Sequence, residues 1–152
     1  MIHVLEQIQV VPAPPERVWA YFATPANLND MTPPELDFAI VRGTEPTMRQ
    51  GQLIEYRVKF APGPRSTWLT EIRQVIPERY FVDEQRIGPY RLWYHEHHFA
   101  PTAAGGTLMT DRVTYCIGRW LPGEILHALW IRPKLERIFA YRKQRVAEVF
   151  GG

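Results

Sequence analysis

Two histidines and an aspartate could do chemistry in this chain because they occupy alternating positions of two short segments. His95 and His97 lie in RLWYHEHHF, and Asp111 lies in GTLMTDRVTY. Successive side chains of a β-strand point to opposite faces of the sheet, so the two imidazoles share a face. Such a group can hold the polar end of a ligand, transfer protons to and from a ketone, or bind a metal with Asp111 or His127 as third ligand. It can equally be a buried network that only fixes the strand register, and the sequence leaves these four interpretations open.

The elements that position these groups are predicted to be the two strands of one hairpin. Residues 91–116 form two segments of strict alternation, joined by a loop rich in Gly, Ala, Pro and Thr. That arrangement is typical of a long β-hairpin. The two faces predicted to point inward combine polar with large apolar side chains: Trp93, His95, His97 and Phe99 on the first strand, and Met109, Asp111, Val113 and Tyr115 on the second.

The rest of the chain predicts one strand, two short helices, further strands and a long helix. Ile2–Val11 is rich in Ile and Val and suits a strand. Pro15 fits the first position of a helix, and Thr24 before Pro25 fits the N-cap of a second one. Alternation from Leu36 onward predicts antiparallel strands, about seven in all. In one of them Asp83 and Gln85 share a face with Phe81, either inside the molecule or at its mouth.

A break at Leu121-Pro122-Gly123 precedes the long helical pattern, in which Pro133 either kinks the helix or begins a new one. The pattern predicts one buried stripe of apolar residues related by helical offsets of three, four and seven: Leu135, Ile138, Phe139, Val146, Val149 and Phe150. Arg142 falls on this stripe. A buried charge needs a partner, so we expect either a carboxylate of the sheet, such as Glu6 or Glu55, or an anionic ligand.

Composition excludes several classes of protein. The 152 residues predict one domain, 1–152, and the net charge of +2 without basic clusters argues against binding nucleic acid. No segment is apolar for long enough to span a bilayer, no signal peptide is expected, and a single cysteine favours a cytoplasmic protein. A glycine-rich phosphate loop is absent from the sequence, and no cofactor is expected. The sequence does not distinguish a monomer from a homodimer.

Four segments carry a family resemblance: APPERVWAYFATPANLNDMTPP, FVDEQRIGPYRLWYHEHHF, GTLMTDRVTY and IFAYR. They resemble bacterial ligand-binding members of the SRPBCC superfamily, which includes START-like proteins, polyketide cyclases and birch-pollen allergens. The resemblance implies an α+β helix-grip fold, in which a curved antiparallel sheet of about seven strands surrounds a long C-terminal helix over an internal cavity. It implies no common catalytic signature, because the superfamily contains lipid and hormone carriers, a coenzyme Q binder and aromatase/cyclases.

The resemblance and the aromatic inward faces together predict a protein that carries or sequesters a small hydrophobic ligand, such as a lipid, polyketide or quinone. The alternative is a polyketide aromatase/cyclase or dehydratase, in which Asp111 orients His95 or His97 as acid/base and Tyr115 or Tyr56 polarises a carbonyl. A core filled completely by aromatic side chains also remains open. No bound metal is expected. The residues expected to form the site are Tyr56, Phe60, Trp68, Trp93, His95, His97, Phe99, Met109, Asp111, Tyr115, Phe139 and Arg142.

Overall fold

One antiparallel sheet dominates the molecule. The computed structural model describes residues 1–61, 63–117 and 127–151, so the predicted break at 121–123 lies outside the described residues. Within them the strands are arranged in the order β1-β7-β6-β5-β4-β3-β2. Their bounds are β1 (Ile2–Val11), β2 (Ala39–Arg42), β3 (Leu53–Val58), β4 (Ser66–Ile76), β5 (Tyr80–Ile87), β6 (Leu92–Pro101) and β7 (Thr107–Cys116).

The segment between β1 and β2 is helical, but it is shorter and tighter than predicted. Helix α1 (Pro15–Phe22) begins at Pro15 as expected, because the missing N–H of proline needs no partner in the first turn. It is followed by two 3₁₀ turns, Pro25–Leu28 and Pro34–Leu36. Thr24 occupies the N-cap position before Pro25, as predicted, but its hydroxyl does not cap the turn and instead donates a hydrogen bond backward to the Ala20 carbonyl at 2.7 Å.

The long C-terminal helix α2 (Arg132–Phe150) follows a π-helical turn, His127–Ile131. Pro133 lies in the first turn of α2, where it begins the helix instead of kinking it. Leu135, Phe139, Arg142 and Val146 form the buried stripe. The prediction for Val149 is wrong, because 40% of this residue is exposed where the helix ends.

Helix α2 is attached to the sheet partly through the first strand. The outer face of β1 exposes its aliphatic side chains, whereas Gln7 and Gln9 point toward the helix. Their amide nitrogens donate hydrogen bonds of 3.0 Å to the carbonyls of Phe139 and Lys143, respectively. Two inward positions of β1 are therefore polar because their side chains bind backbone carbonyls of the helix.

The predicted helix-grip architecture is confirmed by these elements. Strands β6 and β7 form the predicted hairpin, in which Trp93 lies opposite Tyr115, His97 opposite Asp111, and Phe99 opposite Met109. None of the helices in the described part of the chain is long and apolar enough to cross a membrane.

Candidate functional site

A cavity of about 150 Å³ lies between the sheet and α2. Its wall is mostly apolar, and polar groups are concentrated on β5, β6 and one position of α2. Eight of the residues predicted from the sequence line it: Tyr56, Phe60, Trp68, Trp93, His95, His97, Phe139 and Arg142.

Further lining side chains come from segments for which no role in the site was predicted. The turns after α1 contribute Leu28, Met31 and Leu36, and the loop before β3 contributes Met48. No periodicity predicts that these irregular segments fold back over the sheet. A signal was present only for Asp83, whose shared face with Phe81 pointed to the cavity or its mouth; both residues line the cavity.

Four predicted site residues lie away from the cavity wall. Phe99 packs edge-on against Trp19 of α1, and Met109 is buried opposite it in the hairpin. The Tyr115 hydroxyl is 2.7 Å from Nε2 of His127, so it is engaged outside the cavity. Asp111 lies behind the two histidines. The expectation that Phe99, Met109, Asp111 and Tyr115 would line the cavity is therefore wrong, although Asp111 contacts residues that do.

His95 and His97 lie between two carboxylates. Asp111, which is 2% exposed, places Oδ1 3.2 Å from His95 Nε2 and 2.7 Å from His97 Nδ1. Asp83 places Oδ2 2.8 Å from His97 Nε2 and 3.5 Å from His95 Nδ1. The short contact between His97 Nδ1 and Asp111 lacks the direction of a hydrogen bond and is an ion pair. Asp83 thus faces the cavity while Asp111 supports the imidazoles from behind.

The two imidazoles differ in protonation because their surroundings differ. Burial, and then the positive charge of His97, lower the pKa of His95 to about 4. Burial also opposes the charge of His97, but the carboxylates of Asp111 and Asp83 outweigh it and raise the pKa of His97. The same contacts hold the pKa of Asp111 below its usual range despite its burial. His97 therefore keeps its proton to higher pH than His95, although the ring centroids are only 3.8 Å apart.

The neutral ring of His95 has a defined tautomer. An ionised carboxylate can only accept, so His95 Nε2 carries the proton that it donates to Asp111. Its Nδ1 is then unprotonated and lies on the Asp83 side, 3.5 Å from that carboxylate. His97 stacks on Phe81 at a centroid distance of 4.0 Å, which favours a cationic ring. The cluster can accept a proton at His95 and supply one from His97.

Arg142 adds a second positive charge at the same end of the cavity. Its side chain is 10% exposed, and Nη1 is 3.9 Å from Asp111 Oδ1, which is an ion pair without a hydrogen bond. Neither Nε nor Nη1 has a hydrogen-bond partner. The predicted pairing with Glu6 or Glu55 is wrong: Glu6 lies on the exposed face of β1, and Glu55 pairs with Arg42 at 2.8 Å.

A metal ion could be held by part of this cluster. One ligand atom from each of Asp83, His95 and His97 lies within 4.8 Å of the others, so the third ligand would be Asp83 and not Asp111 or His127 as predicted. However, His97 Nε2 already forms a hydrogen bond of 2.8 Å with Asp83, and His95 Nε2 forms one of 3.2 Å with Asp111. The donor set fits a cation, but the hydrogen bonds explain the arrangement without one.

The chain is similar to known proteins in sequence and in structure. Residues 11–129 match the family model described as polyketide cyclase/dehydrase and lipid transport. This chain belongs to that family. The resemblance to the SRPBCC superfamily that the sequence predicted is thereby confirmed. No curated protein matches the chain significantly in sequence.

Several solved structures share the fold of this chain. A protein of Chromobacterium violaceum is 17% identical with a TM-score of 0.72, covering 99% of each chain. A START superfamily protein from Mycobacterium smegmatis is 13% identical with a TM-score of 0.71, covering 97% of this chain and 99% of that one. The Zhui aromatase/cyclase from a Streptomyces species is 18% identical with a TM-score of 0.69, covering 98% and 96%. At these identities the likeness concerns the fold of this family member.

Proposed function

We propose that this family member binds a compact apolar molecule, about the size of one aromatic ring, in the cavity between the sheet and α2. The observation that carries the proposal is an empty volume of about 150 Å³ with an aromatic wall and polar groups at one end. Binding sites for small molecules have this composition, in which apolar walls supply affinity and a few polar groups supply orientation.

The volume limits the size of the ligand. An engineered cavity of about 150 Å³ in another protein binds benzene, whereas sites for drug-sized molecules occupy about 300–1,000 Å³. A lipid or an extended polyketide would require the turns after α1 to move. A single ring fits the cavity as it stands, with its face against side chains such as Trp68 and Trp93.

The proposal predicts that Val58→Phe abolishes binding of fluorobenzene, followed by ¹⁹F NMR, without lowering the melting temperature. Val58 lines the cavity, so the larger phenyl side chain of the variant extends into empty space and occupies the volume that the ligand would fill. The matched control is Val11→Phe in β1, a fully buried position outside the cavity wall, which is expected to cost about 1–3 kcal/mol through overpacking. Equal destabilisation by both variants, or no binding of fluorobenzene to the wild type, would contradict the proposal.

A second candidate function is acid/base catalysis on a bound carbonyl compound, which is the predicted cyclase or dehydratase alternative. The observation that favours it is the pair of cavity-lining imidazoles with pKa values displaced in opposite directions. Pairs of this kind divide the roles of base and acid. His95 Nδ1 would take a proton from the carbon next to the carbonyl, and the electron pair would move to the carbonyl oxygen. Of the two tyrosines considered, Tyr56 lines the cavity and Tyr115 does not.

This candidate predicts that the wild type accelerates deuterium exchange of the methyl protons of acetophenone in D₂O, as measured by ¹H NMR. His95→Gln is expected to remove the acceleration because glutamine is no base. His98→Gln is the matched control, since His98 lies on the opposite, exposed face of β6. Exchange that is no faster with the wild type than in buffer, or that survives in His95→Gln, would exclude proton transfer by this residue.

A further inference from the structure

The burial of the charged side chain of Arg142 on α2 is energetically unfavourable. Its side chain is nine-tenths buried on the apolar stripe of the helix, between Leu135 and Phe139 on one side and Val146 on the other. Removing a guanidinium from water is unfavourable unless its N–H groups find acceptors. Here Nε and Nη1 have none.

The surroundings of Arg142 do not supply the missing acceptors. Asp111 is 3.9 Å from Nη1, which is too far for a hydrogen bond, and its Oδ1 already contacts both histidines. The face of the Phe139 ring, 5.3 Å from the guanidinium carbon, interacts with the charge and not with the N–H groups. Arg142 lines the cavity, so a molecule bound at this end would lie beside its side chain.

We infer that the ligand of this cavity carries a carboxylate that binds Arg142, so that the preferred class is a compact aromatic carboxylic acid in its ionised form. This inference rests on the proposed function, because it assigns a headgroup to the same ligand. A carboxylate offers charged acceptor oxygens to a guanidinium whose N–H groups lack them, whereas a neutral amide or ketone offers one uncharged oxygen.

Arg142 supplies a permanent positive charge at this end of the cavity. The other ionisable groups around it are Tyr56 on β3, Asp83 on β5, His95 and His97 on β6, and Asp111 on β7. An arginine keeps its charge in proteins, so its guanidinium offsets one of the two carboxylates whatever the protonation of the histidines. An incoming carboxylate would therefore bind next to a fixed cation.

The test compares benzoate and phenylacetate with benzamide and phenylacetamide at neutral pH, by calorimetry or by quenching of tryptophan fluorescence. Each acid and its amide have nearly the same shape, so they differ mainly in charge. We expect the wild type to bind each acid about tenfold or more tightly than its amide, as for a charge-assisted hydrogen bond. Arg142→Met is expected to remove this preference, and Arg137→Met, at an exposed position of the same helix, is expected to retain it.

The outcomes separate the inference from the function on which it rests. Amides that bind the wild type as tightly as the acids would leave the cavity function intact and overturn the carboxylate inference. The same inference is overturned if the preference for acids survives in a folded Arg142→Met variant. Failure of every probe, including fluorobenzene, would overturn both. The comparison of acid with amide in the wild type remains decisive even if Arg142→Met does not fold.

Discussion

Replacement of Asp111 by alanine is expected to lower the free energy of unfolding by about 3–5 kcal/mol, because it leaves buried positive charge without a partner. Asp111 is 2% exposed and contacts three groups through one carboxylate: His95 Nε2 at 3.2 Å, His97 Nδ1 at 2.7 Å and Arg142 Nη1 at 3.9 Å. Alanine removes all three contacts at once. Chemical denaturation in urea measures the loss.

The matched control for this variant is a carboxylate that also pairs with more than one group but lies at the surface. Glu71 contacts Arg73 at 2.9 Å and Arg86 at 2.5 Å, and both arginines are exposed. Solvent screens such pairs, so Glu71→Ala is expected to change stability much less than Asp111→Ala. If the two variants lose the same stability, the buried cluster does not support the hairpin.

Periodicity predicted the two strands of the hairpin and their inward faces correctly, because both depend on local chemistry, whereas the fold followed from the family resemblance. Alternation of two residues places His95 and His97 on one side of β6 and Asp111 on the same side of β7 whatever the rest of the chain does. Antiparallel pairing with a short loop then brings His97 opposite Asp111. The sequence predicted that Asp111 lies near His95 or His97, and the register of the hairpin decides which of them lies opposite it.

The extent of the cavity could not be predicted, because alternation identifies a face but not the part of that face that another element covers. Phe99 and Trp93 are equivalent by alternation, yet Phe99 packs against α1 while Trp93 lines the cavity. The difference arises from where α1 and α2 cross the sheet. That depends on packing between segments distant in sequence.

The contacts of the charged residues could not be predicted from the sequence either. Arg142 and Asp111 are far apart along the chain, and their approach depends on the rotation of α2 over the sheet. Asp83 contacts the histidines because β5 pairs with β6 in a register that places Asp83 opposite His95. On its other side β5 pairs with β4, and that pairing contains bulges. A bulge changes which side chains face inward, and no residue type in this segment predicts one.

Stability is expected to be greatest near pH 6.5–7 and to fall on either side, because the two histidines are perturbed in opposite directions. The pKa of His95 is lowered to about 4 by burial and by the charge of His97, whereas an unfolded histidine has a pKa of about 6.5. As the pH falls below about 6.5, His95 becomes protonated in the unfolded chain but stays neutral in the folded chain. The free energy of unfolding should therefore decrease by roughly 3 kcal/mol in total before the pH reaches about 4.

The alkaline side has the opposite cause. The raised pKa of His97 means that the folded chain keeps a proton that the unfolded chain releases, so this stabilisation is complete below pH 6.5 and is lost as the pH rises through the folded value. Asp83 and Asp111 have lowered pKa values and affect stability only at more acidic pH, below about 4. The window from pH 6.5 to 4.5 therefore reports on His95.

Single variants assign the two sides of this profile. Urea denaturation from pH 4.5 to 9 is expected to show that His95→Gln flattens the acidic side and His97→Gln flattens the alkaline side. His98→Gln, on the exposed face of the same strand, is expected to leave both slopes unchanged. Because the imidazoles are adjacent, their proton uptake belongs to the pair, and each variant also alters the titration of the remaining ring. A wild-type profile that is flat between pH 4.5 and 6.5 would show that His95 titrates normally in the folded protein. In that event the pKa values of the two imidazoles would not be displaced in opposite directions, and the observation that favours acid/base catalysis would be lost.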